Sequence, residues 1–254
     1  MSNSPNLARQ IETLKAMIAE RGRIVFFGGA GVSTESGIPD FRSEWVTEKT
    51  RKRYGLTPET ILSRDFFFDQ PEVFYDYVRS TLYSPDALPN PAHLALARLE
   101  EEGKLLAVIT QNIDGLHQKA GSKRVFELHG TLQTFVCPNC GKVSDADDVI
   151  PTVSDENPVP LCDCGNVLKP EVVLYQEPLP EAAIAGAAEA IMEADMLIVA
   201  GTSLVVQPAA SLISLFQGRD LVIINKTPTP ADRVASLVIH APVGEVLQQA
   251  VLTP

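Results

Sequence analysis

The ten residues IVFFGGAGVS (24–33) decide the fold of this chain. Their first part, Ile24 to Phe27, is uniformly apolar, and it stops at three glycines grouped around Ala30. A short apolar run bounded by glycine is typical of a buried β-strand that leads into a tight turn. Glycines after a strand also let the backbone approach a pyrophosphate and donate N–H groups to it. The stretch therefore predicts a central strand and a phosphate-binding type of turn, although a glycine cluster alone is weak evidence for a ligand.

The same arrangement recurs three more times along the chain. Apolar runs at 105–109, 196–200 and 221–224 each end at small hydrogen-bonding residues. Segments with helical character lie between the strands, at 92–102, 181–194 and 209–216. Strands that alternate with helices predict a parallel sheet covered on both faces, with ligands beyond the carboxyl ends of the strands. Turn formation explains any one of the polar ends, but four together favour a ligand crevice.

Two stretches interrupt this alternation. Residues 43–89 are rich in charged and aromatic residues with helical spacing, and residues 133–178 hold all four cysteines and several prolines. We interpret both as insertions that together build a smaller lobe beside the sheet. The predicted large domain then comprises residues 1–42, 90–132 and 179–254.

Composition limits the class of protein. The 254 residues carry 21 Lys plus Arg against 32 Asp plus Glu, a net charge of −11, and 45% of them are hydrophobic. The apolar content predicts a folded globular protein, and the acidic balance argues against direct binding of nucleic acid through its phosphates. The longest apolar candidate, 196–216, is interrupted by polar residues and a proline, so we expect no membrane partner. An N-terminus without a basic start and an apolar core predicts a cytoplasmic protein.

Candidate catalytic side chains follow two of the apolar runs. Directly after the second strand, Asn112 and Asp114 can together donate to and accept from a carboxamide, while an Asx turn explains them about equally well. His129 ends a further short run, and an imidazole with a pKa of about 6.5 at the mouth of a crevice can accept a proton at neutral pH. A lone histidine is more often structural, and the claims of His93 and His117 are weaker.

The cysteines form two close pairs, each followed by a glycine: Cys137, Cys140, Cys162 and Cys164. Four thiolates suffice for one closed tetrahedral zinc site, which has no open position and is therefore structural. The first pair has the usual two-residue gap, and the second has a gap of one residue. A redox-active dithiol at Cys137 and Cys140 is the alternative.

With these residues assembled, the chain resembles the sirtuins, the silent information regulator family of NAD-dependent protein deacylases, and looks like a bacterial member. The resemblance runs from Ile24 to Leu247, and the first two of its motifs are highly specific in combination. Its motifs are GAGVSTESGIPDFR (29–42), TQNIDGLH (110–117), ELHG (127–130), the paired cysteines, KPEVVLYQE (169–177), GTSLVVQPAA (201–210) and INKTPTPADRVASLVIHAPVGEVL (224–247). It implies an α/β fold: a Rossmann-type parallel-sheet large domain that binds NAD, and a small inserted domain made of a helical module (43–89) and a zinc-binding module (133–178).

The resemblance also implies an activity and a set of site residues. The activity is NAD-dependent deacylation of protein lysine, which yields free lysine, nicotinamide and O-acyl-ADP-ribose. Carried over by motif, His129 is the general base, while Asn112 and Asp114 hold the carboxamide during catalysis. The NAD-binding residues are Ala30, Gly31, Thr34, Asp40, Phe41 and Arg42 in the loop, Gln111, Asn112, Ile113 and Asp114 at the nicotinamide ribose and carboxamide, His129 at the ribose hydroxyls, and Gly201, Thr202, Ser203, Asn225 and Lys226 at the diphosphate and adenosine. The substrate residues are Val173, Tyr175, Gln176 and Glu177, in a 173–177 strand expected to pair with the acyl-lysine peptide.

Departures from the family pattern bear on the substrate. After the NAD loop the chain has Glu44-Trp45-Val46, where the family often has a Gly-Leu-Tyr-like stretch. In addition, Lys169 stands where Arg is commoner, and Gln176 replaces the usual Gly. Because no Tyr-and-Arg pair of the kind that reads acidic acyl groups is present, we expect acetyl or another apolar acyl group. The rival functions are an NAD dehydrogenase, a protein mono-ADP-ribosyltransferase and a non-catalytic acyl-lysine binding module. The dehydrogenase is disfavoured because no strand ending in an acid follows the glycines. The sequence leaves the oligomeric state open, and a monomer is compatible with it.

Overall fold

The computed structural model describes residues 5–40 and 43–253. The strands are β1 (Ile24–Gly28), β2 (Leu105–Thr110), β3 (Val125–Glu127), β4 (Gly130–Val136), β5 (Val143–Asp145), β6 (Lys169–Val172), β7 (Met196–Ala200), β8 (Asp220–Ile224) and β9 (Leu237–Ile239). The α-helices are α1 (Pro5–Glu20), α2 (Glu44–Tyr54), α3 (Pro58–Ile61), α4 (Arg64–Asp69), α5 (Pro71–Tyr77), α6 (Pro91–Glu101), α7 (Leu116–Lys119), α8 (Ala146–Val149), α9 (Glu181–Glu193) and α10 (Val243–Leu247). Within the described ranges, no helix has the length and apolar character that crossing a bilayer requires.

The main sheet is parallel throughout, with the strand order β3-β2-β1-β7-β8-β9. Successive strands run outward from β1 on one side and from β7 on the other, so the direction of winding reverses between these two neighbours. At the carboxyl end of β1, Gly28 lies level with Thr110 of β2 and with Ala200 of β7. Loops from three adjacent strands therefore begin at the same height at the switch point, where ligands bind in such sheets. The predicted α/β fold class is confirmed.

Two apolar layers cover the sheet. Alternate residues of β1 point to opposite sides, so Phe26 packs with α1, α6 and α10 while Phe27 packs with α9. On the second side the predicted helix at 209–216 is instead a 3₁₀ segment, Ala209–Leu215. The hydroxyl of Ser211 donates to the Pro208 carbonyl at 2.6 Å and thereby competes for backbone groups that an α-helix would use.

The two insertions share one hydrophobic core beside the sheet. Helices α3 to α5 pack on a second sheet with the strand order β5-β4-β6. Tyr75 of α5 stacks on Phe135 of β4 with ring centroids 6.4 Å apart, and its hydroxyl donates to the Leu168 carbonyl. A small lobe built from both insertions is thus present. Its exact residue bounds stay a prediction, since β4 begins at Gly130, before the predicted boundary at 132/133.

A pair of buried histidines lies beneath the loops of the large domain. The rings of His93 and His117 are 4.7 Å apart, and both side chains are almost completely buried. Burial lowers the pKa of His93 to about 4, against the opposing pull of Asp114. Burial and the neighbouring His93 lower the pKa of His117 to about 3. Both rings are therefore neutral in the folded protein at neutral pH, whereas they titrate at about 6.5 in the unfolded chain.

We expect this pair to make folding sensitive to mild acid. Below about pH 6.5 these histidines bind protons in the unfolded chain but not in the folded protein. The free energy of unfolding therefore decreases as the pH falls from about 6.5 toward 4. Two such groups give a slope of up to about 2.7 kcal/mol per pH unit. Urea unfolding at pH 7.5, 6 and 5 measures the slope. A His117→Leu variant should lose about half of it, and an unchanged slope in that variant would contradict the assignment.

Candidate active site

A polar cavity of 250 Å³ opens at the switch point of the sheet. Most of its lining comes from the loops that follow β1, β2, β7 and β8, which explains why small hydrogen-bonding residues end four apolar runs of the sequence. The residues around it are Gly29, Ala30, Gly31, Thr34, Asp40, Gln111, Asn112, His129, Gly201, Thr202, Ser203, Asn225, Lys226, Thr227 and Val243. Exposed backbone, hydroxyls, amides and the Lys226 ammonium are the donor set that phosphate oxygens and ribose hydroxyls require.

The glycines of the first loop serve the contact between two loops. A Cβ on Gly31 would lie 2.7 Å from the Cα of Gly201, and a Cβ on Gly29 would lie 2.9 Å from the Gly201 carbonyl oxygen. The Gly31 N–H donates to that same carbonyl at 2.8 Å, and Gly201 itself has a φ of +59°. The sequence predicted that these glycines let the backbone approach a ligand. In the structure they let the β1 and β7 loops approach each other, and the two loops line the cavity together.

Asn112, which lines this cavity, belongs to a network of three polar side chains. The Asn112 amide donates to the Ser33 hydroxyl at 3.0 Å, and that hydroxyl donates to the Asp114 carboxylate at 2.7 Å. The other Asp114 oxygen accepts from the Leu116 N–H at 2.9 Å. These bonds fix the orientation of the Asn112 amide and the Asp114 carboxylate before any ligand arrives. The Asx turn is therefore present, and it occupies one carboxylate oxygen while the other makes the network.

The tautomer of His129 follows from one contact. Its Nδ1 lies 3.0 Å from the backbone carbonyl oxygen of Gln111. Because a carbonyl can only accept, Nδ1 carries the proton, and in the neutral ring Nε2 then holds the lone pair that a general base needs. The half-buried ring borders the polar cavity and also a second cavity described next.

The second cavity is larger, 500 Å³, and mainly apolar. It shares Ala30, Gln111, Asn112 and His129 with the first cavity, so the two meet at these residues. The rest of its lining is Ser33, Ile38, Pro39, Leu62, Thr81, Leu82, Ile113, Asp114, Val172, Val173, Leu174, Tyr175, Gln176, Glu177, Pro178, Leu179, Val206, Gln207 and Pro208. A polar cavity and an apolar cavity thus converge on one histidine, which can act on two ligands held side by side.

The segment 173–177 differs from its predicted structure. Strand β6 ends at Val172, and the prediction of a strand over 173–177 is wrong. The Glu177 N–H donates to the Leu174 carbonyl at 3.0 Å and the Glu177 carboxylate accepts from the Leu174 N–H at 2.9 Å, so the chain turns here. The Val173 N–H donates to the His129 carbonyl at 2.8 Å, which ties the segment to the backbone of the histidine.

The four cysteine sulfurs converge at the far end of the small lobe. Their Sγ atoms all lie within 4.8 Å of one another, with Cys137 and Cys164 at 3.4 Å and Cys140 and Cys162 at 3.6 Å. Four thiolates at 2.3 Å from one zinc ion would lie about 3.8 Å apart, so the sulfurs fit a tetrahedral site. All four are free of disulfides. The glycine after each pair adopts a left-handed conformation, with a φ of +72° at Gly141 and +85° at Gly165, so the chain turns behind both pairs.

A family model for the Sir2 family matches residues 29–208. This range contains the β1 loop, the histidine that borders both cavities and the four cysteines. The chain belongs to the Sir2 family. The resemblance found in the sequence is thereby confirmed. A curated Sir2 relative from Clostridium acetobutylicum is 51% identical over 246 residues, covering 96% of this chain and 99% of that protein. Another, from Staphylococcus aureus, is 48% identical over 235 residues, covering 92% and 95%. Both are named NAD-dependent protein deacetylase.

Solved Sir2 structures share the fold. A structure described as a complex of Sir2 with a p53 peptide and NAD⁺ superimposes with a TM-score of 0.83 at 40% sequence identity, covering 94% of this chain and 96% of that one. A structure described as Sir2Tm bound to a propionylated peptide gives a TM-score of 0.82 at 39% identity, with the same coverage. Each similarity extends over both lobes, because the coverage leaves out only a few per cent of either chain.

Apart from the four cysteines, the described site residues named from the sequence all line one or both cavities. Phe41 and Arg42 lie outside the described residues. Sequence reasoning missed Ser33, which joins Asn112 to Asp114, although it stands within the glycine-loop motif. It also missed Thr81 and Leu82, which reach the apolar cavity from the insertion 43–89. Nothing in their local pattern marks them, because only the packing of the small lobe brings them there.

Proposed function

We propose that this Sir2 family protein is an NAD-dependent protein deacetylase, which removes acetyl or another apolar acyl group from lysine side chains. The observation that carries the proposal is the meeting of a polar, nucleotide-type cavity and an apolar cavity at His129 and Asn112. The curated relatives' names support the same activity. The apolar lining of the second cavity supports the preference for an uncharged acyl group.

The polar cavity suits NAD. Gly201, Thr202 and Ser203, with Asn225 and Lys226, would hold the diphosphate and the adenosine side. The β1 loop would cover the nucleotide through Ala30, Gly31, Thr34 and Asp40, with Phe41 and Arg42 as further proposed contacts. Gln111 and Ile113 would lie at the nicotinamide ribose. When bound, NAD supplies a ribose carbon that accepts the acyl oxygen as neutral nicotinamide leaves.

The chain's own residues would orient the reactants and move one proton. Asn112 and Asp114 would bind the carboxamide, since the Ser33 network fixes both side chains in advance. His129 would take a proton at Nε2 from a ribose hydroxyl, while the Gln111 carbonyl holds its other nitrogen protonated. Val173, Tyr175, Gln176 and Glu177 would line the entry of the acyl-lysine. The four cysteines would hold zinc as a structural ion, which takes no part in the chemistry.

The partners we propose are proteins that carry acyl-lysine, and the location we propose is the cytoplasm. Solved relatives are described as bound to acetylated and propionylated peptides, which supports acyl-lysine peptides as ligands. The net charge of −11 favours basic, lysine-containing segments over nucleic acid. We propose no obligate assembly, because both cavities are built within one chain.

Mass spectrometry of an acetyl-lysine peptide tests the function. Incubation with the protein and NAD should remove the acetyl group and produce O-acetyl-ADP-ribose, and omission of NAD should leave the peptide unchanged. ADP-ribose added to a protein would favour the transferase instead. Peptide that binds in the presence of NAD and stays acetylated would favour the binding module, provided that longer and acidic acyl groups also remain in place.

A further inference from the structure

The side chain of Gln176 joins the peptide-binding segment, residues 173–177, to helix α4 of the small lobe. Its Oε1 accepts from the Asp65 backbone N–H at 3.1 Å, and its Nε2 donates to the Asp65 carboxylate at 2.9 Å. The Asp65 amide belongs to the first turn of the helix, where backbone N–H groups lack partners within the helix. Gln176 therefore caps α4 from a segment 111 residues away, and we name this two-point contact the Gln176–Asp65 clasp.

The backbone at Gln176 is of a kind that side chains rarely adopt. Its φ is +78°, in the left-handed region that glycine enters without steric cost. A glutamine at this position thus carries strain that a glycine would avoid. The clasp offsets that strain with two hydrogen bonds that a glycine could not make.

The clasp completes a wall of the apolar cavity. The Tyr175 N–H donates to the Leu62 carbonyl at 2.9 Å, and the Tyr175 carbonyl accepts from the Arg64 N–H at 3.0 Å. Leu62, Tyr175 and Gln176 all line the cavity. The segment and the start of α4 therefore form one unit, in which backbone bonds hold Tyr175 and side-chain bonds hold Gln176.

We propose that the Gln176–Asp65 clasp is a positioning device, which holds residues 173–177 in the conformation that binds the substrate peptide and thereby lowers the KM for that peptide. The proposal rests on the proposed deacetylase function. The Gln176 amide is turned toward Asp65 and acts through the segment, so it has no part in the chemical step. Loss of the clasp should leave kcat unchanged.

Steady-state kinetics with an acetyl-lysine peptide at saturating NAD tests the clasp. Gln176→Gly and Asp65→Ala should each raise the peptide KM about 3- to 10-fold, the effect of one to two modest hydrogen bonds. Asp65 does not line the cavity, so Asp65→Ala is the variant that should retain kcat. Asp65→Asn keeps an oxygen that accepts from the Gln176 amide and should stay within about twofold of the wild type. The double variant Gln176→Gly/Asp65→Ala should be no worse than either single variant, because both remove the same contact.

Asp69→Ala is the matched control, since it removes the same charge from the other end of α4 without touching Gln176. An unchanged KM in Gln176→Gly and Asp65→Ala overturns the proposal. The proposal is also overturned if Asp65→Asn and Asp69→Ala raise the peptide KM as much as Asp65→Ala does, because the effect would then come from the loss of charge. Fluorescence anisotropy of a labelled acetyl-lysine peptide reports binding without turnover. If the wild type binds but does not deacetylate, the proposed function fails, and the same variants then decide the clasp through their Kd values.

Discussion

Replacement of His129 by alanine should abolish deacetylation while NAD still binds. The imidazole borders both cavities, and the Gln111 carbonyl at 3.0 Å from Nδ1 leaves Nε2 as the basic nitrogen. Removal of a general base typically costs about 10²- to 10⁴-fold in rate, so we expect kcat to fall by at least about 100-fold. The rate of nicotinamide release with an acetyl-lysine peptide measures the loss.

The fold and the cofactor site provide the controls for this variant. The proposed nucleotide contacts come mainly from the β1, β7 and β8 loops that line the polar cavity, so calorimetric titration should give an NAD affinity within a few fold of the wild type. The melting temperature should also be close to that of the wild type, because the ring is only half-buried. A variant that binds NAD, remains folded and retains more than about a tenth of the wild-type kcat would refute His129 as the base.

Loss of the zinc site should unfold the small lobe and abolish activity. The zinc would close the end of the β5-β4-β6 sheet, since Cys137 directly follows β4 and Cys164 lies five residues before β6. Structural zinc contributes several kcal/mol or more to folding, so a Cys137→Ala variant should melt at least about 10 °C lower. Bound metal, measured by mass spectrometry of the acid-digested protein, should fall from about one zinc per chain to none.

The activity should fall with the metal because the same sheet reaches the histidine. Strand β4 begins at Gly130, next to His129, and the residue after β6, Val173, donates its N–H to the His129 carbonyl. Lys142→Ala is the matched control, since it breaks the exposed 2.6 Å ion pair with Asp163 beside the metal loops and spares every thiolate. If the Cys137→Ala protein retains both its melting temperature and its kcat, the cysteines have no structural role. Zinc-free wild-type protein that forms a Cys137–Cys140 disulfide would favour the redox alternative.

The sequence was sufficient for features that depend on neighbouring residues. Apolar runs stopped by glycine or small polar residues marked β1, β2, β7 and β8, because a buried parallel strand needs continuous apolar side chains and its end needs a turn. Parallel strands bring their carboxyl ends to one edge, so Asn112, His129 and Lys226 could be assigned to one crevice although they are far apart in the chain. The four cysteines likewise predicted their own convergence, since a tetrahedral site requires it.

Only the tertiary structure decided what depends on contacts between distant segments. Position 31 requires glycine because the backbone of Gly201, in the neighbouring loop, leaves no room for a Cβ. No local sequence pattern shows that contact. Ser33 contacts Asn112 and Asp114, which lie about eighty positions later in the chain. Gln176 caps a helix that lies 111 positions earlier. The strand at 173–177 failed as a prediction because Glu177 folds back on Leu174. By itself the sequence determined the main strands of the parallel sheet and the chemistry at their ends. Packing decided which side chains meet, since hydrogen bonds and steric limits act between atoms that are neighbours in space.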